Sequence, residues 1–319
     1  MSAHLTQSDI SERGVFKGDI SNKSTSGGET IYGEALDIGA LDAFVERVWL
    51  EGRRLYRSYP WRDTDDAYLV LTSEVMLQQT QVSRVHKKWE SWLAAFPTLD
   101  ALAAASLVDV LERWQGMGYN RRAINLKRCA DYLSENGGGM VPNSYEELLT
   151  LPGVGPATAA GVCVFAYQIP QVYLETNVRT VFIHELFADH DSIHDREIIP
   201  LVRQTCPASD PRAWYYALLD YGAYLKRILP NPNRRAAGYH RQSAFEGSTR
   251  QKRAELLRLV LSSPGLNTEE LTELLMSFEW AAGRSLIDAD KVALLLEALE
   301  KDGFLTTDAG RWYIAEKQG

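Results

Sequence analysis

The stretch LPGVGPATAAGVCVFAYQIPQVYLETNV, residues 151–178, decides the fold. Gly153 and Gly155 lie just before Pro156, and small residues follow. Glycine accepts positive φ and lets the backbone approach a ligand closely, while proline suits the first turn of a helix. The pattern predicts a tight hairpin and then a helix, whose exposed N–H groups are typical of a phosphate-binding site. A helix–turn–helix with a plain glycine corner explains this stretch equally well when it is taken alone.

Two glutamates occupy positions that suit chemistry. Glu175 comes just before an apolar helix predicted over residues 178–187, and Glu74 lies among apolar neighbours in SEVMLQQTQV, residues 73–82. An unpaired buried carboxylate is costly unless it has a partner or a task. Burial would also raise the pKa of Glu74 and leave it able to donate a proton. The alternative is an ordinary solvated or ion-paired helix glutamate.

Two further segments suit contact with bases. A polar run, Gln78–Gln81, directly follows the apolar part of the Glu74 helix, and glutamine can both donate to and accept from base edges. The segment GMGYNRR, residues 116–122, joins a glycine corner to one aromatic ring and two cations. Stacking on an unpaired base and pairing with phosphate need that mixture. A plain loop capped by Tyr119 is the alternative.

Composition sets the broad class. The chain has 319 residues, enough for about two domains, and 45% are hydrophobic, as is ordinary for a globular protein. A net charge of −8 argues against bulk affinity for nucleic acid, although the local footprint decides. The three cysteines are far apart, which favours free thiols in a reducing cytoplasm. We expect no membrane span and no signal peptide.

The order of local patterns predicts an all-α protein. Residues 1–37 are rich in Ser, Gly, Thr and Asp and predict a disordered tail. Over residues 38–225, apolar residues recur at helical spacing between short turns, and strand signals are nearly absent before residue 300. The predicted helices cover residues 41–56, 67–80, 82–96, 99–105, 108–115, 121–135, 145–150, 156–167, 178–187, 196–205 and 211–229.

A basic segment follows these helices. Between Lys226 and Arg253 the chain has eight Lys or Arg residues against one acid, Glu246. Pro230 and Pro232 predict an ordered extended loop over residues 226–248. Such a segment would contribute phosphate contacts without reading sequence. A solvated linker is the alternative.

Residues 249–319 predict a separate small domain. Three helices are expected over residues 253–261, 267–277 and 288–301, followed by a hairpin from residues 303–307 and 311–314. A helix–turn–helix with a C-terminal β-hairpin is the winged-helix pattern. The hairpin carries few cations, so a DNA contact and a protein contact both stay open.

The motifs together resemble those of one superfamily. The chain resembles the helix-hairpin-helix (HhH-GPD) DNA glycosylases over about residues 41–225, and most of all the MutY-type adenine DNA glycosylases. The resemblance implies an all-α glycosylase fold, with two helical subdomains flanking a cleft, here followed by a winged-helix domain. The six motifs, in the family's order, are PWR (60–62), SEVMLQQTQV (73–82), GMGY (116–119), LPGVG (151–155), NVRTV (177–181) and ALLDYGA (217–223).

The resemblance also implies residue roles. Glu74 matches the proton donor, Glu175 matches the position of the catalytic Asp, and Asn177 matches an Asn beside that acid. Gln79 and Thr80 match positions at the base opposite the excised one, with Gln78 beside them, and Tyr119 matches an aromatic wedge. The hairpin would hold phosphate, often with a monovalent cation on carbonyls such as those of Leu151 and Val154. The DNA-contact candidates are thus Arg62, Gln78, Gln79, Thr80, Tyr119, Arg121, Gly153, Val154, Gly155, Asn177, Arg234, Arg235 and Arg241.

Several residues depart from the family pattern. Glu175 replaces Asp and is longer by one methylene, to which pocket geometry is sensitive. Ala157 stands where bifunctional relatives carry a Lys nucleophile, so we expect no lyase activity. Tyr216 stands where a carboxylate would contact adenine, so both residues are candidate substrate-pocket positions. The four cluster cysteines expected after Gly222 are absent, so no iron–sulfur cluster and no other cofactor are expected.

The resemblance predicts a monofunctional DNA glycosylase of base excision repair. Its expected partner is double-stranded DNA with a mispaired or damaged base, and adenine in a mismatch is the first candidate substrate. The same chemistry on hypoxanthine, uracil or thymine stays open, because Ala157, Tyr216 and the missing NUDIX-like domain depart from the pattern. A non-catalytic lesion-binding protein is the other alternative. We expect a monomer in the cytoplasm, associated with the nucleoid.

Overall fold

The computed structural model describes residues 38–241 and 244–315, so the predicted tail at residues 1–37 lies outside the described residues. Helices dominate the part preceding the basic segment, as predicted. Short 3-10 turns occur at Pro60–Arg62 and Pro232–Arg235. The helices are α1 (Ile38–Leu55), α2 (Ala67–Leu77), α3 (Val82–Ala95), α4 (Leu99–Ala104), α5 (Leu107–Trp114), α6 (Arg121–Asn136), α7 (Tyr145–Thr150), α8 (Pro156–Phe165), α9 (Thr176–Leu186), α10 (Asp195–Thr205) and α11 (Pro211–Ile228).

Short polar side chains start many of these helices. Asp66 accepts hydrogen bonds from the N–H groups of Tyr68 and Leu69 at the start of α2. Thr98, Ser106 and Ser144 cap α4, α5 and α7 in the same way. Each cap satisfies an N–H that has no partner inside its helix, which is why local sequence predicts these starts well.

The chain divides into two compact units by its contacts, which do not follow the predicted segments 38–225 and 249–319. Among the described residues, the first unit combines residues 38–58 with Cys163–Tyr239. Its core lies where α1, α9 and α11 pack together. The rings of Phe44, Phe182 and Trp214 are buried there, with the Phe44 and Phe182 centroids 4.8 Å apart.

The second unit combines Tyr59–Val162 with the described residues 240–241 and 244–315. In its first part, α2 and α4–α6 pack around aromatic residues. Trp92 and Trp114 are fully buried and meet edge to face at 5.4 Å.

The C-terminal part of the second unit has an element order compatible with the predicted winged helix. Helix α12 (Thr249–Ser262) is followed by strand β1 (Leu266–Asn267), α13 (Thr268–Ala281), α14 (Ala289–Lys301), β2 (Leu305–Asp308) and β3 (Arg311–Ile314). The strands form an antiparallel sheet in the order β1–β3–β2, with Leu305 opposite Ile314. Strand β1 extends the predicted two-stranded hairpin. Buried residues of the helices and sheet include Leu256, Leu271, Leu296 and Trp312.

The prediction of an extended loop over residues 226–248 is wrong at its centre. Residues Pro232–Arg235 form a 3-10 turn that the Asn231 side chain caps by accepting from the Asn233 N–H. Proline at the first helical position favours such a turn rather than opposing it.

Among the described helices, none is long and apolar enough to cross a membrane.

Candidate active site and nucleic-acid interface

Glu74 lies on α2 with its carboxylate against α8. The side chain is half-buried, and a Cβ atom placed on Gly161 would stand 2.3 Å from Glu74 Oε2. Any residue larger than glycine would therefore displace the carboxylate. Gly161, one of the small residues that follow Pro156, thus lets Glu74 lie against this helix.

The predicted opposite-strand residues follow at the end of α2. The helix ends at Leu77 rather than at Thr80, because Gln79 takes a left-handed conformation with φ 52°. Its side chain is exposed. Gln78 faces α8 instead, where its Nε2 donates to Thr158 Oγ1 at 2.8 Å. A left-handed backbone at a polar residue is uncommon and occurs often at functional positions. Gln79 is thus accessible at this turn, while Gln78 is engaged within the protein.

Arg122 holds this turn in place, a role that the sequence did not reveal. Its guanidinium donates to the carbonyls of Val75, Met76 and Gln78 at 2.6–3.0 Å and to Thr80 Oγ1 at 2.8 Å. It also donates to the Gly118 carbonyl at 3.0 Å. Burial lowers the pKa of Arg122 to about 10. One cation therefore joins the end of α2 to the glycine corner.

The glycine corner presents Tyr119 in a strained conformation. Tyr119 has φ 49°, unusual for a bulky residue, and follows Gly118 at φ 74°. Its hydroxyl accepts a hydrogen bond from Arg250 Nη1 at 2.7 Å. Arg121, predicted to contact phosphate, forms an ion pair with Asp302 and remains largely exposed.

The predicted hairpin is present at residues 151–155. Gly153 has φ 74°, and a Cβ atom there would stand 2.4 Å from the Asn125 Cβ. Gly155, expected to share the left-handed conformation, does not adopt it. The Val154 N–H donates to the Leu151 carbonyl at 3.2 Å, so it is engaged in the turn rather than directed outward.

A small cavity lies beneath this hairpin. Its volume is about 40 Å³, and its lining includes Gln78, Arg122, Asn125 and Val154. Gln78 and Arg122 also hold the end of α2. The predicted phosphate-binding hairpin and the predicted opposite-strand residues therefore share one support within this unit.

Glu175 belongs to the first unit, where it caps α9. Its Oε1 accepts the Asn177 N–H at 2.6 Å. Asn177 Oδ1 is buried and accepts no hydrogen bond within the described residues. Burial raises the pKa of Glu175, against the lowering effects of the Asn177 N–H and of Lys226. The helix start favours an anion at this position.

Lys226 is the second residue here that the sequence did not single out. Burial lowers the pKa of its amine, while the charge of Glu175 raises it and that of Arg57 lowers it. In the sequence it counted only as one cation of the basic segment. The structure makes it the cation whose field acts on Glu175.

The two predicted pocket residues differ in setting. Tyr216 is buried, and its ring stacks on Phe165 with centroids 4.8 Å apart and planes 6° apart. Ala157 is exposed in the first turn of α8. The aromatic stack fixes the Tyr216 ring within the first unit.

The predicted phosphate-contacting arginines separate into two groups. Arg234 and Arg241 are exposed. Arg235 donates to the carbonyls of Ile183, Phe187, Ala188 and His190 at 2.5–3.2 Å. It thereby closes the C-terminal end of α9, so we assign it to that helix.

Arg62 also lies apart from solvent. It is 8% exposed, with its guanidinium 5.4 Å from the centre of the Tyr59 ring. A side chain buried to this extent is not positioned for a direct phosphate contact, so the structure does not support that prediction for Arg62.

The cysteines are free thiols. Cys129 and Cys163 are buried and Cys206 is half-buried. Within residues 38–241 and 244–315, no group of three or more His, Cys, Asp or Glu side chains is placed to hold a metal ion.

Comparison with known proteins gives consistent matches. Residues 72–207 match the model of the HhH-GPD superfamily base excision DNA repair proteins. The adenine DNA glycosylase of Mycolicibacterium smegmatis is 31% identical over 284 residues, which cover 84% of this chain and 94% of the relative. That of Mycobacterium tuberculosis is 31% identical over 77% of this chain and 86% of its own.

One solved structure shares the fold. A thermostable thymine-DNA glycosylase superposes with a TM-score of 0.52 at 24% identity, over 58% of this chain and 87% of that one. At this identity the likeness concerns the fold alone.

Proposed function

Because this chain belongs to the helix-hairpin-helix DNA glycosylases of base excision repair, and there to the adenine DNA glycosylases, we propose that it hydrolyses the N-glycosidic bond of a mispaired adenine. The product is an abasic site on an uncut strand. The observation that carries the proposal is the Glu74 carboxylate held against Gly161, because a glycine there gives a half-buried acid a defined position. The substrate is double-stranded DNA.

The DNA is held and opened by the second unit. Amides of the hairpin at residues 151–155 bind a backbone phosphate, as peptide N–H groups at a helix start do. Since the Val154 N–H is engaged in the turn, the flanking amides do this work. Gln79 and Thr80 contact the unpaired base on the opposite strand, and Tyr119 fills the gap in the stack. The hairpin carbonyls are oxygen donors of the kind that a monovalent cation takes.

The chemistry is divided between the two carboxylates. Glu74 donates a proton to the leaving base, directly or through water, as the C–N bond breaks. Glu175 stabilises the positive charge that develops on the sugar and then accepts a proton from the water that adds to the anomeric carbon. Asn177 orients Glu175 by the hydrogen bond from its backbone N–H.

We further propose that the enzyme has no lyase activity and no iron–sulfur cluster. Ala157 supplies no amine where a nucleophile would attack the sugar carbon. With three cysteines in the whole chain, four thiolate ligands cannot come from it. Strand cleavage that needs alkali, and a purified protein without stoichiometric iron, are the expected results.

A different excised base is the second candidate. Tyr216 is locked by its stack on Phe165, where the family pattern has a carboxylate to contact adenine. A pocket without that carboxylate has lost a hydrogen-bonding partner for the exocyclic amine. Hypoxanthine, uracil and thymine in mismatches are therefore the competing substrates, and a sensor that binds lesions without excising them is the non-catalytic alternative.

The deciding experiment is single-turnover base release from A·8-oxoG, A·G, hypoxanthine·T, U·G and T·G duplexes, scored before and after alkali. Alkali-dependent cleavage at adenine supports the proposal, and cleavage of another duplex selects the second candidate. Glu175→Ala is expected to abolish release while duplex affinity is kept. Tight binding without base release from any duplex would favour the non-catalytic alternative, a sensor that binds lesions without excising them. Sedimentation of the same preparation tests the expected monomer.

A further inference from the structure

The C-terminal part of the second unit contacts the glycine corner through several arginines. Arg250, in the first turn of α12, donates from Nη1 to the Tyr119 hydroxyl at 2.7 Å. Its guanidinium carbon also lies 5.7 Å from the centre of the Tyr119 ring. The Arg122 guanidinium lies 5.6 Å from the same centre. Arg122 and Arg250 come from the two separate chain segments of this unit, and their guanidinium groups both lie close to the ring of Tyr119.

A second contact lies one turn away from the first. Asp302, just after α14, pairs with Arg253 of α12 at 2.6 Å and with Arg121 at the start of α6. Next to it, a Cβ atom on Gly303 would stand 2.8 Å from Nη2 of Arg128. The C-terminal part is therefore attached along the first turns of α6, directly behind Tyr119.

The rest of the C-terminal part is poorly suited to binding phosphate. Residues 249–315 contain eleven acidic and eight basic residues. Helix α14 occupies the place of a winged helix's groove-reading helix. Its exposed side chains include Asp290, Lys291, Leu294, Glu297 and Lys301. Because two exposed anions balance two exposed cations, that helix has no cationic surface to offer phosphate.

We propose that Arg250 is a positioning residue, through which the C-terminal part holds Tyr119 in the orientation needed to enter the base stack. This rests on the proposed function, in which Tyr119 fills the gap left by the flipped nucleotide. A left-handed backbone at a bulky residue persists only where its surroundings hold it. The hydrogen bond from Arg250 fixes the far end of a ring whose near end is held by that backbone.

A double-mutant cycle tests the coupling. The variants are Arg250→Met, Tyr119→Phe and the pair, each bound to a mismatched duplex carrying 2-aminopurine beside the target pair. The fluorescence rise reports unstacking, which a merely structural role of Arg250 would not move. Each single variant is expected to weaken the unstacking equilibrium about tenfold, the effect of losing a hydrogen bond to a charged group. The unstacking equilibrium of the double variant is expected to be weakened no more than that of either single variant.

Matched variants keep the test decisive. Arg258→Met lies on the same helix, where Arg258 pairs locally with Glu255, and it is expected to behave as the parent protein. Arg250→Lys restores a charged donor and is expected to recover part of the loss. Unchanged unstacking in Arg250→Met, or losses that add in the double variant, would overturn the proposal. Since unstacking is read without base release, a failure of the proposed chemistry would show separately.

Discussion

The carboxylate of Glu74 rests on Gly161, where a Cβ atom would stand 2.3 Å from Oε2 and 2.8 Å from Cδ. This relationship joins two segments 87 positions apart in the printed sequence. The size of the side chain at residue 161 therefore determines where the carboxylate of Glu74, the proposed proton donor, can lie.

Gly161→Ala is therefore expected to lower single-turnover base release by roughly a hundredfold, because a displacement of about 1 Å at a catalytic group has that effect. The fold should survive, since alanine favours a helix over glycine by about 1 kcal/mol and the carboxylate end can shift. Gly238→Ala, where a Cβ atom meets nothing within 4 Å, is the control. An unimpaired Gly161→Ala enzyme would show that Glu74 is not held as we infer.

Lys226 is expected to set the acid limb of the pH–rate profile. Glu175 must be ionised to stabilise a cationic sugar, and burial raises its pKa while Lys226 lowers it. Removing the cation in Lys226→Met should raise the pKa of Glu175 further. The rate should then fall at low pH and recover at higher pH, so the acid limb moves upward.

The matched variant for that measurement is Lys226→Arg, which keeps the charge and should keep the profile of the parent protein. The nearby Arg57 acts on Lys226 and is left unchanged in both. A Lys226→Met profile that falls equally at every pH would contradict an electrostatic role.

Most of the helices could be predicted from local sequence patterns. The predicted helix starts at residues 67 and 145 agree with the structure, where Asp66 and Ser144 cap α2 and α7, because a cap needs only the residues that follow it. Glycines before Pro156 indicated the hairpin for the same reason. The end of α2 was placed too late, because the left-handed Gln79 depends on Arg122 from another helix.

The site was predictable as a set of residues but not as a set of contacts. Glu74 and Glu175 were singled out by their surroundings and by the resemblance, and their roles stay predictions. Arg122 and Arg235 could not be distinguished from phosphate-binding cations, since each acts on carbonyls that are distant in sequence. Counting charges in a sequence identifies the cations but does not show which groups they form hydrogen bonds with.

Arg122→Met is expected to lower the free energy of unfolding by about 2–4 kcal/mol, because several carbonyls at the end of α2 lose their donor. Thermal unfolding measures it. Arg122→Lys should rescue little, since one ammonium group cannot reach carbonyls on both sides. The neighbouring Arg121→Met is the control. Arg121 is 61% exposed in its ion pair, so its loss should cost less than about 1 kcal/mol. Equal costs for the two would contradict the role given to Arg122.

Arg234 and Arg235 are adjacent, yet they should affect different measurements. Arg234 is exposed, so Arg234→Met should weaken binding to all duplexes alike and reduce the slope of log Kd against log salt by about 0.9, the value for one lost phosphate contact. Arg235 donates to four carbonyls at the end of α9. Arg235→Met should therefore lower Tm by about 2–4 °C or more and leave the salt slope unchanged. If instead Arg235→Met changed the slope and kept Tm, its guanidinium would leave α9 for DNA on binding, and the assignment made from the free protein would be wrong.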